Sequence, residues 1–246
     1  MDNHSPRGPR SALLDKLAWL EYAFQPAGLP APADAAYGQQ RHSARVVLAG
    51  QNQPPKSCES DGVIGDSLSP VAVYTADCLP VLFADAGTHQ VAAVHAGLQG
   101  TLAGVLGSAI DSLQARGAQV AGLYIAIGPA IGPCCYELGS DRVAQMQARD
   151  DLPTPRWSVE QPHNPLAVRP QARAHHQGVW FDLPYLAREL LLQRGIPAPH
   201  IDVLNLCTYC MAETGSSYRY NTHFASGYQS RFSWIRRREE GGVTSL

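Results

Sequence analysis

The sequence predicts a single mixed α/β domain. Three observations carry that expectation. The chain has 246 residues, 45% of them hydrophobic, enough for one sizeable core or at most two small ones. Short β-prone runs alternate with stretches of helical period through its middle. No repeat and no clear linker divides it. The expected domain spans 1–246, with 1–10 and 239–246 as tails.

Each element follows from local pattern. Residues 11–23 read as an amphipathic helix, with Leu13, Leu14, Leu17 and Leu20 at helical spacing and Ser11 as cap. Residues 25–38 are rich in Pro, Ala and Gly and read as loop. Val46–Leu48 reads as a short strand, and 50–70 as loop again. Val71–Thr75, Val81–Ala84 and Val91–Val94 are apolar, β-prone runs. Thr101–Arg116 reads as a helix ended by Gly117, Val120–Ile127 as a buried strand, and Gly139–Arg149 as a helix. Residues 150–178 hold five prolines and three histidines with little periodicity, and read as a surface excursion or lid. Leu183–Gln193 is a helix with Leu183, Leu186, Leu190 and Leu191 on one side and Gly195 as its stop. Ile201–Leu206 and Phe232–Ile235 are the last strands.

Composition excludes several classes. Nineteen basic residues stand against 21 acidic, a net charge of -2, so no basic excess points to nucleic acid or an anionic membrane. No apolar run reaches the roughly 18 residues that a membrane span needs. The first ten residues are polar and no apolar stretch of export-signal type follows them. A cytoplasmic, reducing location is the expectation. Six cysteines over this length do not make a disulfide scaffold.

The chemistry concentrates around Ala76-Asp77-Cys78-Leu79-Pro80 and His95-Ala96-Gly97. If Ala86 and Gly87 form a two-residue hairpin loop, Asp85 faces Thr88. Counting back along both strands then sets Cys78 opposite His95, with Cβ atoms roughly 5 Å apart. A bulge at Pro80 would spoil this register. The pair has three readings: a core contact, a catalytic Cys–His dyad, or two zinc ligands awaiting a third. His42 is one candidate third ligand. Gly97 and Gly100 precede a helix whose N–H groups could hold an anion. Gly128 to Glu137 follows a strand, with two Gly-Pro pairs, and could wall a pocket. Cys207-Thr208-Tyr209-Cys210 has C-x-x-C spacing but no second such motif. Arg219 could reach a phosphate or carboxylate. His163, His175 and His176 read as solvated loop residues.

Together these motifs resemble the laccase-domain family, also called polyphenol oxidase or purine nucleoside phosphorylase-like. The resemblance rests on Thr75 to Phe83, Ala92 to Gly97, Ile127 to Pro133 and Cys207 to Tyr209, in this order and spacing, and covers roughly 37–236. It implies one α/β domain on a mixed sheet with flanking helices, distantly like the catalytic domain of cytotoxic necrotizing factors. It implies zinc held by His42, Cys78 and His95, with copper the lesser alternative. It implies catalytic roles for Cys78, His95, Asp77 and Arg219, and substrate contacts for Gln40, Gly97, Gln99, Gly132 and Cys135. On a regular strand Asp77 would turn to the face opposite Cys78. The implied partners are small molecules, a purine nucleoside with phosphate. The implied activities are nucleoside phosphorolysis and adenosine deamination, with copper-dependent phenol oxidation also attributed to members.

The sequence departs from the family pattern. Leu98 and Gln99 stand where the family has tryptophan and arginine, and Tyr220-Asn221 replaces an Arg-Asp pair. Losing an arginine from an anion site removes about 1.5–3 kcal/mol of charge-assisted bonding. The alternative reading is therefore a divergent member that hydrolyses an amide or other acyl group through zinc or Cys78, as in peptidoglycan-precursor editing or specialised metabolism.

Overall fold

The computed structural model describes residues 8–50, 54–175, 177–211 and 216–238. Its centre is a six-stranded mixed sheet. In chain order the first six strands are β1 (Leu20–Phe24), β2 (Val46–Leu48), β3 (Gly62–Gly65), β4 (Val71–Thr75), β5 (Leu79–Asp85) and β6 (Val91–Ala96). Helices α1 (Leu98–Leu102) and α2 (Val105–Gln114) lead to β7 (Leu123–Ile127). Then come β8 (Glu137–Leu138), α3 (Ser140–Gln147), β9 (Trp157–Ser158), β10 (Val179–Phe181) and α4 (Leu183–Gln193). The chain closes with β11 (Ile201–Val203), α5 (Tyr218–Phe224) and β12 (Arg231–Arg237).

The large sheet has the order β11-β7-β5-β6-β3-β2. Its two outer pairs, β11 with β7 and β2 with β3, are parallel; the inner pairs are antiparallel. All seven residues of β5 are buried, as expected for a strand covered on both faces. Its side chains alternate between two cores. Val81 and Phe83 join Leu106, Ile110, Leu113, Leu186 and Leu191 of the helical layer. Leu82 and Ala84 join Tyr22, Phe24, Val71, Val73 and Ile235 of a three-stranded antiparallel sheet, β1-β12-β4. The result is three layers: helices, large sheet, small sheet. A further small sheet, β8-β10-β9, is hydrogen-bonded separately and packs Leu138, Val179 and Phe181 into the helical-side core.

Several expected elements take a different form. The helix expected over 11–23 is a single 3-10 turn at Leu14–Lys16 followed by β1. Ser11 Oγ does accept from Leu14 N at 3.2 Å. The aromatic-rich stretch beyond it then pairs along β12 from Leu20–Arg237 to Phe24–Ser233, so sheet packing overrides helical spacing. The loop expected over 50–70 contains β3. Its flanking glycines hid it: a Cβ at Gly62 would lie 2.9 Å from Val46 Cγ2, and one at Gly65 2.9 Å from Val71 Cγ1. The helix expected over Thr101–Arg116 starts earlier, at Leu98, and breaks at Gly104, whose φ is 92°. Val120–Gly122 is a 3-10 turn rather than strand. β11 stops at Val203, and Asn205 has φ 52°. Of the expected N-terminal tail, Gly8 is buried and Arg10 donates to Tyr22 O at 3.1 Å. The rest of that tail, 1–7, and the expected tail 239–246 lie outside the described residues.

The hairpin register also differs by two. Pro80, not Cys78, faces His95, and pairing runs without a bulge to Ala84–Val91. The loop is longer because Asp85 Oδ2 accepts from Thr88 N at 2.7 Å and Thr88 Oγ1 at 2.6 Å, and His89 takes φ 57°. A two-residue slip is one full side-chain period, so it leaves Cys78 and His95 directed to the same side.

Candidate metal centre

The ends of β5 and β6 bring Cys78 and His95 together, and the loop before β2 adds His42. One ligand atom from each lies within 4.8 Å of the other two. Cys78 Sγ is 3.7 Å from His42 Nε2. The His42 and His95 rings meet edge-on, centroids 4.7 Å apart. His42 is exposed, Cys78 partly so, and His95 buried, so the cluster opens to solvent on one side.

Asp61, just before β3, organises two of the three. Its side chain is fully buried. Oδ1 lies 2.8 Å from His95 Nδ1 and accepts from His42 N at 2.9 Å. Oδ2 accepts from Ser43 N at 2.7 Å and Ser43 Oγ at 2.6 Å. Burial alone would raise this carboxyl, but bonds from His95, Ser43 and Arg41 outweigh it and hold it well below the usual carboxylate range. A carboxylate accepts from Nδ1–H, which fixes the tautomer and presents His95 Nε2 to the cluster. His42 sits at φ 58°, a conformation that costs energy outside glycine, and the Asp61 bonds hold it there.

The chain keeps the centre clear. A Cβ on Gly97 would come within 2.7 Å of His42 Cδ2 and 2.8 Å of Cys78 Sγ. Burial pushes the Cys78 thiol up to about 12, with the Asp77 and Asp61 charges adding to it. Burial, then the neighbouring His95, hold His42 below the usual imidazole value, against Asp61. Unaided, this pair therefore resists becoming thiolate and imidazolium. A divalent cation would draw the thiol to thiolate and take the imidazole in the neutral form it already favours.

The other expected site residues are spread more widely. Asp77, at φ 84°, is not on a regular strand. Its carboxylate accepts from Thr208 Oγ1 at 2.6 Å, Ser217 Oγ at 3.0 Å and Arg219 N at 2.6 Å, tying three segments together behind Cys78. Arg219 donates to Glu137 O at 3.2 Å and lies over the Tyr136 ring, 5.4 Å from its centroid. Gln40 is occupied by backbone: its amide donates to Tyr74 O at 2.7 Å and accepts from Tyr74 N at 2.9 Å. Gln99 is exposed on α1. Gly132 and Cys135 belong to a different group, with Cys134, Cys207 and Cys210.

The sequence reading passed over Asp61 and Tyr136. Asp61 carries no local signature, standing 34 residues from the histidine it supports. Tyr136 is a phenol raised by burial and by Cys78, with Arg219 opposing. A surface cleft lined by Gly128, Gly132, Cys134, His163, Asn164 and Cys207 includes none of the three ligands. His163 and His175 are exposed, as expected; His176 lies outside the described residues.

A family model described as multi-copper polyphenol oxidoreductase laccase matches residues 21–236. The chain belongs to this family. Among curated relatives, it is 35% identical over 161 residues to "Purine nucleoside phosphorylase YlmD" of Geobacillus stearothermophilus, covering 65% of this chain and 54% of that protein. It is 31% identical over 209 residues to "Purine nucleoside phosphorylase YfiH" of Shigella flexneri, covering 83% and 75%. The match thus spans little more than half of the Geobacillus relative's length. The crystal structure of YlmD from Geobacillus stearothermophilus superposes with a TM-score of 0.67 at 28% identity, covering 84% of this chain and 74% of that one. The expected mixed α/β family fold is thereby met. No described helix is long and apolar enough to cross a membrane.

Proposed function

We propose that His42, Cys78 and His95 hold one zinc ion and that the protein is an enzyme acting on purine nucleosides. The observation that carries the reading is the Asp61–His95 pair beside an open His₂Cys group. Three protein ligands with an accessible fourth position is the pattern of catalytic rather than structural zinc. The names of the relatives support the substrate class.

Bound zinc would supply Lewis-acid polarisation at neutral pH. The chain's own residues do the rest. Asp61 orients His95 and the His42 backbone. Gly97 leaves room at the centre. Asp77 fixes the Cys78 turn and, through its bond to Arg219 N, sets the start of α5. Tyr136 offers an aromatic face and a phenol. Arg219 supplies positive charge next to that phenol. It takes the phosphate-facing role in place of the arginine absent at Gln99.

Copper oxidase chemistry is the less favoured reading on donor sets. Imidazole and thiolate suit zinc or a single copper. Among the described residues the potential metal-holding groups are this His₂Cys set and a set of four cysteines. Neither is a histidine-rich multi-copper cluster.

The test is turnover by metal-quantified protein on adenosine, inosine and methylthioadenosine, with and without phosphate, beside Cys78→Ala. Phosphate-dependent release of free base, lost in Cys78→Ala, is the expected result. Ammonia release instead would place the chemistry at the purine ring as deamination. No conversion of any of the three by zinc-loaded protein overturns the purine assignment and favours the acyl-hydrolase alternative.

A further inference from the structure

The sequence offers one C-x-x-C motif without a counterpart. The fold supplies one. The connection after β7 runs beside the segment after β11: Ala130 N donates to Leu206 O at 3.1 Å, and Thr208 N to Ala130 O at 2.9 Å. This pairing sets Cys134 and Cys135 against Cys207 and Cys210. All four are buried, and their sulfurs lie within 4.8 Å of one another. Cys134 Sγ and Cys210 Sγ are 3.7 Å apart. With Zn–S bonds of about 2.3 Å, the edge of a tetrahedral ZnS₄ unit is about 3.8 Å.

Hydrogen-bond donors surround the sulfurs. Gly132 N donates to Cys207 Sγ at 3.3 Å. Ala172 N donates to Cys135 Sγ at 3.5 Å. Asn164 Nδ2 donates to Cys210 Sγ at 3.1 Å and reaches Cys134 Sγ at 3.7 Å. Each sulfur thus has an N–H within reach. Ala172 and Asn164 come from the proline- and histidine-rich excursion. That segment is fastened further by Gln161 and Gln171, which both donate to Cys134 O, and by Val168 N, which donates to Cys210 O at 2.9 Å.

We propose that Cys134, Cys135, Cys207 and Cys210 form a second metal site, a closed tetrathiolate holding one structural zinc ion. Four protein ligands leave no open coordination position, in contrast to the open His₂Cys centre. Zinc binding releases the thiol protons and fixes the 161–172 segment over the cluster. It also fixes Thr208, which bonds Asp77 beside Cys78.

Metal content of the purified full chain tests this. The expected stoichiometry is two zinc per chain, falling to one in Cys207→Ser/Cys210→Ser and to one in His42→Ala. In the cysteine variant, limited proteolysis within 150–178 should accelerate. A variant that fails to fold leaves a measurement on the wild type: zinc X-ray absorption should show a shell dominated by sulfur at about 2.3 Å. One zinc per chain with a nitrogen-dominated shell overturns the proposal. So does loss of a thiol pair to a disulfide in the fresh protein, or stoichiometric iron with acid-labile sulfide in place of the second zinc.

Discussion

Asp61 touches no solvent, yet three of its bonds reach His42, Ser43 and His95. Asp61→Asn keeps the shape but turns one acceptor into a donor and removes the charge behind His95. Metal affinity at the His42 centre should fall by roughly 10–100-fold, read by competition with a chelating dye; unchanged affinity would mean the carboxylate only shapes the loop. Gly97→Ala tests the space at the centre. A methyl 2.7 Å from His42 and 2.8 Å from Cys78 cannot coexist with a metal drawn between them. The variant should lose that ion and its activity while keeping its circular dichroism spectrum. At this scale spacing brought Cys78 and His95 together, with a register off by two, and the family resemblance added His42, the third of the proposed ligands. Asp61 was not legible, because a residue that acts through hydrogen bonds across the sheet leaves no period or spacing in the chain.

Among the elements, the α1–α2 break shows how glycine can encode a corner. Gly104 has φ 92° and nothing within 4 Å of where a Cβ would sit. Gly104→Ala should therefore cost only backbone strain, about 1–2 kcal/mol, seen as a lower urea midpoint at unchanged slope. The start of α4 yields a pH prediction. Asp182 accepts from Tyr185 N at 3.0 Å. Burial raises its carboxyl above the usual value, against that bond and Arg156. The folded state then holds this proton to higher pH than the unfolded one, so stability is lost as pH rises through that window. Asn caps as well but cannot ionise. As pH rises through and above the ordinary aspartate range, the stability of Asp182→Asn should improve relative to wild type. A difference that does not change with pH contradicts the assignment. Leu183–Gln193 was readable to the residue because its leucines face one core and Gly195 ends it at φ 84°. The 11–23 stretch was misread because leucines at helical spacing say nothing of a distant strand, β12, that pairs with Leu20–Phe24.

At the scale of the whole molecule, metal removal should separate the two centres. A ligand at 100 times its Kd stabilises by about 2.7 kcal/mol, which is roughly 5–10 °C in a chain of this size. Stripping all zinc with a strong chelator should lower Tm by at least that much, with most of the drop retained in His42→Ala. If His42→Ala abolishes the chelator effect, the cysteine cluster contributes no metal-linked stability. Composition and periodicity were enough for the α/β class and for most strands of the central sheet, while the proposed metal-ligand set came from the family resemblance carried by dense local motifs. Those signals are local, and a hairpin or a helix is built from near neighbours. Two features depended on long-range packing: the carboxylate of Asp61 behind His95, and the meeting of Cys134-Cys135 with Cys207-x-x-Cys210. Each joins segments tens of residues apart whose proximity is set by strand order, and strand order follows from how two apolar faces of one sheet are covered rather than from any stretch of sequence.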